Sequence, residues 1–353
     1  MNNPLLGHLS KILTLSPPQS SYPSSALSGP LTSHTGTAYL FLSISSAFPR
    51  LQIHSYHAIH WARAYISNIP TKPDSDSAPE HVLGLSETLA SPAIRACISQ
   101  DLAHVHKFLS LLPSISHANL PTCLIHGLSG TLYLLRLIRH WVPSSAPLVS
   151  RAIVHISEYL LSSPWSCPQS KYHGAADGDL GTLTQLVLTT PPLASRLVER
   201  LAALLDLQGP DGEWPSQGTE AGAESLNSKR DVSFAQGTTG LIISLLSLRP
   251  FFSSLQERID DAMAKARNFL STQELGAREP SLWYGALSTP LAFPKGPSRT
   301  SIVNLVHHPR STSEPPSDSS TSGSIAISYD PGAAWMWAVS EKELPRMIFY
   351  NDI

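Results

Sequence analysis

Five side chains able to move protons or donate hydrogen bonds stand beside glycines at the starts of apolar runs: His126, His173, Asp177, Gln236 and Tyr284. Asp177, in His173-Gly174-Ala175-Ala176-Asp177-Gly178, places a carboxyl at the N-terminal end of an apolar helix. It reads either as a general acid or base (or the partner of a cation), or as an N-cap that satisfies free helix N–H groups. His173 reads as a proton-transfer group or as a loop histidine, and His126, just ahead of Gly127, as a pocket residue or a bystander. Gln236, in Phe234-Ala235-Gln236-Gly237, offers an amide to a substrate carbonyl or serves as a structural amide. In Trp283-Tyr284-Gly285 the phenol can donate to a developing oxyanion, while Trp283 supplies aromatic surface; alternatively the pair only fills space. Tyr329, Asp330 and Trp335 add candidate substrate contacts. Trp337, two residues beyond Trp335 on one helix, faces elsewhere.

These residues sit on a repeated element, a small-residue turn feeding an apolar helix. It occurs at Ser33–Leu42, Val82–Glu87, His126–Leu135, Tyr172–Leu183, Phe234–Ile243, Glu279–Phe293 and Tyr329–Trp337. Aligned on the usually small second position of each turn, the copies fall at residues 36, 87, 130, 181, 240, 288 and 334, with Glu87 the exception to smallness. Each interval holds two helices and their loops, the mark of stacked helical hairpins. Partner helices are expected over 55–67, 103–112, 146–161, 193–205 and 255–270, and a separate short helix over 4–15. Glycine allows close backbone approach at a helix start and leaves N–H groups able to face a ligand. The fold class predicted is all-α, a helical toroid, with residues 1–30 as an N-terminal extension and 31–353 as one domain. Polar loops are expected at 68–80, 211–230 and 294–324. The last, rich in Ser, Thr and Pro and read as disordered, leaves the sixth hairpin shortened and without its outer helix.

Composition closes off several classes. With 24 basic and 26 acidic residues, the net charge is -2, which gives no electrostatic case for nucleic acid or an anionic membrane. No apolar run is long enough to span a bilayer, and the first residues lack a signal-peptide pattern; cytoplasm is the expected location. Cys97, Cys123 and Cys167 are odd in number and widely spaced, unlike a disulfide framework. Cys123 reads as a buried structural thiol. Ser129 lacks the strand-to-helix elbow of a hydrolase nucleophile.

The chain resembles the lanthionine synthetase C-like (LanC-like) family from about Ser33 to Ile353. The resemblance rests on Lys171–Gly178, Gly212-Glu213-Trp214-Pro215-Ser216, Glu279–Gly285, the ending Phe349-Tyr350-Asn351-Asp352-Ile353 and the order of the seven turns. It implies an (α/α) double toroid of about seven inner and seven outer helices. Catalytic members hold one zinc through two cysteines and a histidine, which activates a thiol for thioether formation or glutathione addition. Carried onto this chain, the ligand positions are Ala235, Trp283 and Tyr284, and a further histidine position is Gln236. The fourth-turn histidine associated with proton transfer is replaced by Asp177. Alanine offers no donor and an indole only an N–H, so no tetrahedral zinc site remains; no metal ligands and no cofactor are expected.

The resemblance and the residues together imply a metal-independent small-molecule enzyme with an aromatic-lined central cavity. Its chemistry would be cyclisation, isomerisation or conjugate addition on an apolar or polyunsaturated intermediate, in natural-product (secondary-metabolite) biosynthesis. Such steps run on orientation and desolvation. Asp177, Tyr284, His173 and Gln236 are the candidate catalytic groups, with Trp283, His126, Trp335, Tyr329 and Asp330 as substrate contacts. A non-catalytic ligand-binding or scaffold protein, or a decayed relative, is the alternative.

Overall fold

The computed structural model describes residues 3–22, 28–69, 82–113, 120–164, 173–215, 231–307 and 323–353. Cys167, Tyr172 and much of the loops expected at 68–80, 211–230 and 294–324 lie outside these.

The protein is mostly helical, and its helices are of two kinds. Helices α2 (His34–Ala47), α6 (Leu128–Trp141), α8 (Asp179–Thr189), α10 (Thr238–Leu248) and α13 (Tyr329–Val339) are buried on nearly every side. Helix α4 (Glu87–Ser99) is buried along most of its length. Sequences such as Gly240-Leu241-Ile242-Ile243 have no polar face to offer water, so such helices belong inside. By contrast, α3 (Ala58–Ser67), α5 (Leu102–Ser110), α7 (Ala146–Ser162), α9 (Val198–Leu205) and α11 (Gln256–Ser271) bury residues at three- and four-residue spacing. α11, for example, buries Ile259, Ala262, Met263, Ala266, Phe269 and Leu270 and shows Glu and Arg outward. Each amphipathic helix packs beside its buried neighbour, and α2, α4, α6, α8 and α10 touch in succession, with α13 against α2.

Helix α1 (Pro4–Leu15) starts at Asn3, whose side chain accepts from the Leu5 N–H at 3.1 Å, with Pro4 in the first turn. It buries Leu5, Leu9, Ile12 and Leu13 and lies along α13. The segment read as an extension is therefore packed onto the last helix. Residues 52–57 form a small hairpin, β1 (Gln52–Ile53) with β2 (Tyr56–His57), so α3 begins three residues later than the sequence pattern predicts.

The sixth unit departs from expectation in the opposite sense to that predicted. Its outer helix is present as α12 (Pro297–His307), while its inner helix is reduced to the single 3₁₀ turn Thr289–Ala292. Pro290 removes an N–H donor one turn into the segment and Pro294 stops it.

A belt of backbone hydrogen bonds joins the turns in chain order. Leu85 N–H donates to Ile125 O (2.8 Å), Leu124 to Ala176 (3.0 Å), Ala176 to Ala235 (2.8 Å) and Ala235 to Trp283 (2.9 Å). Trp283 then donates to Ala326 (3.1 Å), and Ala326 to Leu31 (3.0 Å), which leads from the last turn back to the first. This registration places the seventh turn at Ser324–Ile327, ahead of the Tyr329–Pro331 position assigned by pattern. Close approach also explains the glycines: a Cβ on Gly181 or Gly240 would lie 2.0 Å from the carbonyl oxygen of Ala175 or Phe234, respectively.

Candidate functional site

The belt fixes one residue per turn at its outer edge, the residue following each belt position: Thr32, Ser86, His126, Asp177, Gln236, Tyr284 and Ile327. All but Gln236 line a cleft of about 580 Å³. The volume is in the range of small-molecule sites. Leu31, Leu85, Ile125, Ala326 and Ile327 supply its apolar surface, and Ser28, Thr32, Ser86 and Thr88 its hydroxyls. Tyr284 is the one Phe, Tyr or Trp among the described residues lining it. The expected aromatic-lined cavity is thus replaced by an aliphatic cleft with a hydroxyl collar.

Asp177 is half-buried beside Gln236, whose amide donates to its carboxyl. Burial pushes the Asp177 carboxyl above the ordinary carboxylate range, against the opposing pulls of Gln236 and the His126 charge. Burial, and then the Asp177 charge, push the Tyr284 phenol up to about 12, although that side chain is 44 % exposed at the rim. Tyr284 therefore keeps its proton at neutral pH. Asp177 does not cap its helix: Gly178 holds the N-cap position of α8, without a side-chain cap bond.

Glu87, which the sequence marked only as an exception to small residues, belongs to this cleft. Its carboxylate accepts from Ser33 Oγ (2.9 Å), Thr35 Oγ1 and the Gly29 backbone N–H. It thereby ties the second turn to the first, where the backbone belt has no bond. Burial raises its pKa, and these three donors pull it back down.

Trp283 is fully buried beneath the belt, edge-on to Phe234 at 5.0 Å, and Phe234 in turn meets Tyr350 at 5.0 Å. Below them, Met347–Asp352 threads among the second and third turns of the buried helices. Arg136 Nη2 and Gln185 Nε2 donate to Tyr350 O at 2.7 and 3.1 Å. Tyr39 and Tyr133 donate to the Asp352 carboxylate at 2.6 and 2.9 Å. The space beneath the cleft is packed with side chains. Trp283 does not line the cleft and is not a free substrate contact.

Four further candidates lie away from the cleft. His173 Nδ1 is 3.7 Å from Asp179 Oδ2, too long for a hydrogen bond, and the pair does not line the cleft. Trp335 Nε1 donates to Arg346 O at 2.8 Å and anchors the segment after α13. Tyr329 and Asp330 are engaged at a separate cleft beside α1, with His307 and His8, respectively.

The ligand positions implied for zinc do not fit a metal. Ala235 has no donor, Trp283 presents a buried indole packed on Phe234, and Tyr284 is a protonated phenol. Among the described residues no group of three His, Cys, Asp or Glu side chains is arranged to hold an ion, and no helix is long and apolar enough to cross a membrane. The chain matches no family model and no curated protein.

Proposed function

We propose that the chain is a divergent LanC-like protein, an (α/α) double toroid of about seven inner and seven outer helices, that acts on a small molecule without a metal. The belt that runs from the second turn through the seventh and on to the first, closed by Glu87, supports the toroid, with α1 as the outer helix of the seventh unit. The observation that carries the functional reading is the meeting of Asp177 and Tyr284 in one cleft, with Gln236 hydrogen-bonded to the Asp177 carboxyl.

In this reading Asp177, its carboxyl raised by burial, gives or takes a proton. Gln236 fixes the carboxyl's orientation. The Tyr284 O–H donates to oxygen on which negative charge develops. The aliphatic side chains hold an apolar or polyunsaturated skeleton in a folded, water-poor conformation. Cyclisation, isomerisation and conjugate addition of a conjugated carbonyl compound all suit that set. Incubation with conjugated enones and polyenes, in the presence of chelator, tests it through loss of their ultraviolet absorbance. The expected result is chelator-insensitive turnover that disappears in Asp177→Asn. Turnover left unchanged in Asp177→Asn would contradict the assignment.

A second reading, a ligand-binding shell without catalysis, is favoured by the packed interior under Trp283. It predicts saturable binding of the same compounds with no absorbance loss in the wild type.

A further inference from the structure

His34, the first residue of α2, is half-buried and lines neither of the two clefts. Its ring is enclosed by residues from three other parts of the chain. Ser16 Oγ, just after α1, lies 3.0 Å from Nε2 and shares one proton with it. The Tyr22 ring lies against the imidazole at 4.3 Å and 36°, and Tyr65 of α3 stacks with it at 6.0 Å and 27°. A Cβ on Gly323 would stand 3.1 Å from Ser16 Oγ and 3.8 Å from His34 Nε2, so the segment before α13 closes the cage. His34 Nδ1 is buried and makes no hydrogen bond. Residues 16–22 are also held to α3 and its C-cap: Tyr65 donates to Ser16 O at 2.6 Å, and Asn68 Nδ2 to Gln19 O at 2.7 Å.

This cage suits a neutral imidazole and not an imidazolium. The titratable groups that face the ring from these elements are the two phenols, Tyr22 and Tyr65, both pushed up by burial and so protonated. No carboxylate or cation acts on the ring among the described residues, and burial alone holds it below the ordinary histidine range. The partial positive charge at the start of α2 opposes a cation there as well. A second proton would put a donor on both ring nitrogens, and the one on Nδ1 would be buried without an acceptor. The first turn, Ser28–Thr32, which lines the belt cleft, lies in the chain between Tyr22 and His34.

We propose that His34 is an acid-sensitive clasp: protonation of its ring loosens residues 16–22 from α2 and α3, and with them the first turn at the edge of the belt cleft. The sign follows from burial. The folded state binds fewer protons than the unfolded chain in the histidine range, so the clasp is complete above that range and is lost as pH falls through the folded pKa. The clasp uses none of the groups assigned to the chemistry of the belt cleft, so it stands or falls alone.

Amide hydrogen exchange of the full chain tests this, compared at about pH 7.5 and about pH 5 after correction for the chemical exchange rate. The reporters are the N–H groups of Ser16 and Gln19, bonded to Ile12 O and Tyr22 Oη, and those of Thr32 and Ser33, both bonded to Gly29 O. In the wild type their protection should fall by about threefold or more at the lower pH, while amides within α6 and α10 keep theirs. His34→Phe keeps an aromatic ring beside Tyr22 and Tyr65, and His34→Gln keeps a polar partner for Ser16. Neither side chain titrates, so the acid-induced loss at these four amides should vanish in both. His34→Gln carries the comparison should His34→Phe impair folding. The clasp is overturned by wild-type protection at these amides that does not change with pH, by an undiminished acid loss in either folded variant, or by a His34 imidazole that titrates at or above the range of free histidine.

Discussion

The two sides of the belt are built from the same turns and end differently. On the outer side, the residue after each belt position except Gln236 faces a cleft with hydroxyls, Asp177 and a half-exposed Tyr284. On the inner side, Trp283, Phe234 and Tyr350 interlock and Asp352 is clasped by two tyrosines. One step along the chain, from Trp283 to Tyr284, separates packed core from accessible chemistry. The backbone belt thus sets the polar groups of the cleft while the residues one step back along the chain join the packed core.

Substitutions on the two sides should differ sharply in size. Trp283→Ala removes a fully buried side chain and should destabilise the fold by about 3–5 kcal/mol in denaturant unfolding; a cost under about 1 kcal/mol would mean the inner side is not packed as described. Gly181→Ala, which drives a Cβ onto the Ala175 carbonyl, should cost about 1–3 kcal/mol, whereas a neutral result would separate the belt from stability.

Asp177→Asn should act in a pH-dependent way. Burial raises the folded pKa of Asp177 above its unfolded value, so the folded state binds more protons through that window. Wild-type stability from this group is then complete below the ordinary carboxylate range and falls as pH rises to the raised pKa. The variant should melt higher than wild type near pH 7 and equally near pH 3; the reverse order near pH 7 would place a favourable ionised partner at Asp177 instead. Tyr284→Phe should change stability least, within about 0.5 kcal/mol, because the phenol sits at an exposed rim. A larger loss would make it part of the packed side.

Much of this was legible in the sequence. All-round apolarity in Gly240–Leu248 against three-and-four spacing in α11 separates buried from amphipathic helices, and the boundaries of α1 and α7 follow from Pro4, Asn3 and the periodic apolar positions. Asp177, Gln236, His126 and Tyr284 come together because each follows a belt residue in an equivalent turn. Composition misled at the sixth unit: the Ser/Thr/Pro run suggested a missing outer helix, yet Pro290 and Pro294 shorten the inner one. Glu87 was visible only as an oddity, since its partners Ser33 and Thr35 lie more than fifty residues away. Tyr329, Asp330 and Trp335 were misplaced because turn register depends on inter-turn hydrogen bonds that no local pattern encodes.

The proposed LanC-like membership makes positions 235, 283 and 284 a former metal site, now buried core at Ala235 and Trp283 and exposed rim at Tyr284. Zinc titration of the wild type and of the variant combining Ala235→Cys, Trp283→Cys and Tyr284→His tests it most directly. The account predicts no stoichiometric zinc in the wild type and one tightly held ion per chain in the folded triple variant, since adjacent turns bring 235 and 283 into backbone contact at 2.9 Å. One tightly held zinc in the wild type, or none in a folded triple variant, would contradict it.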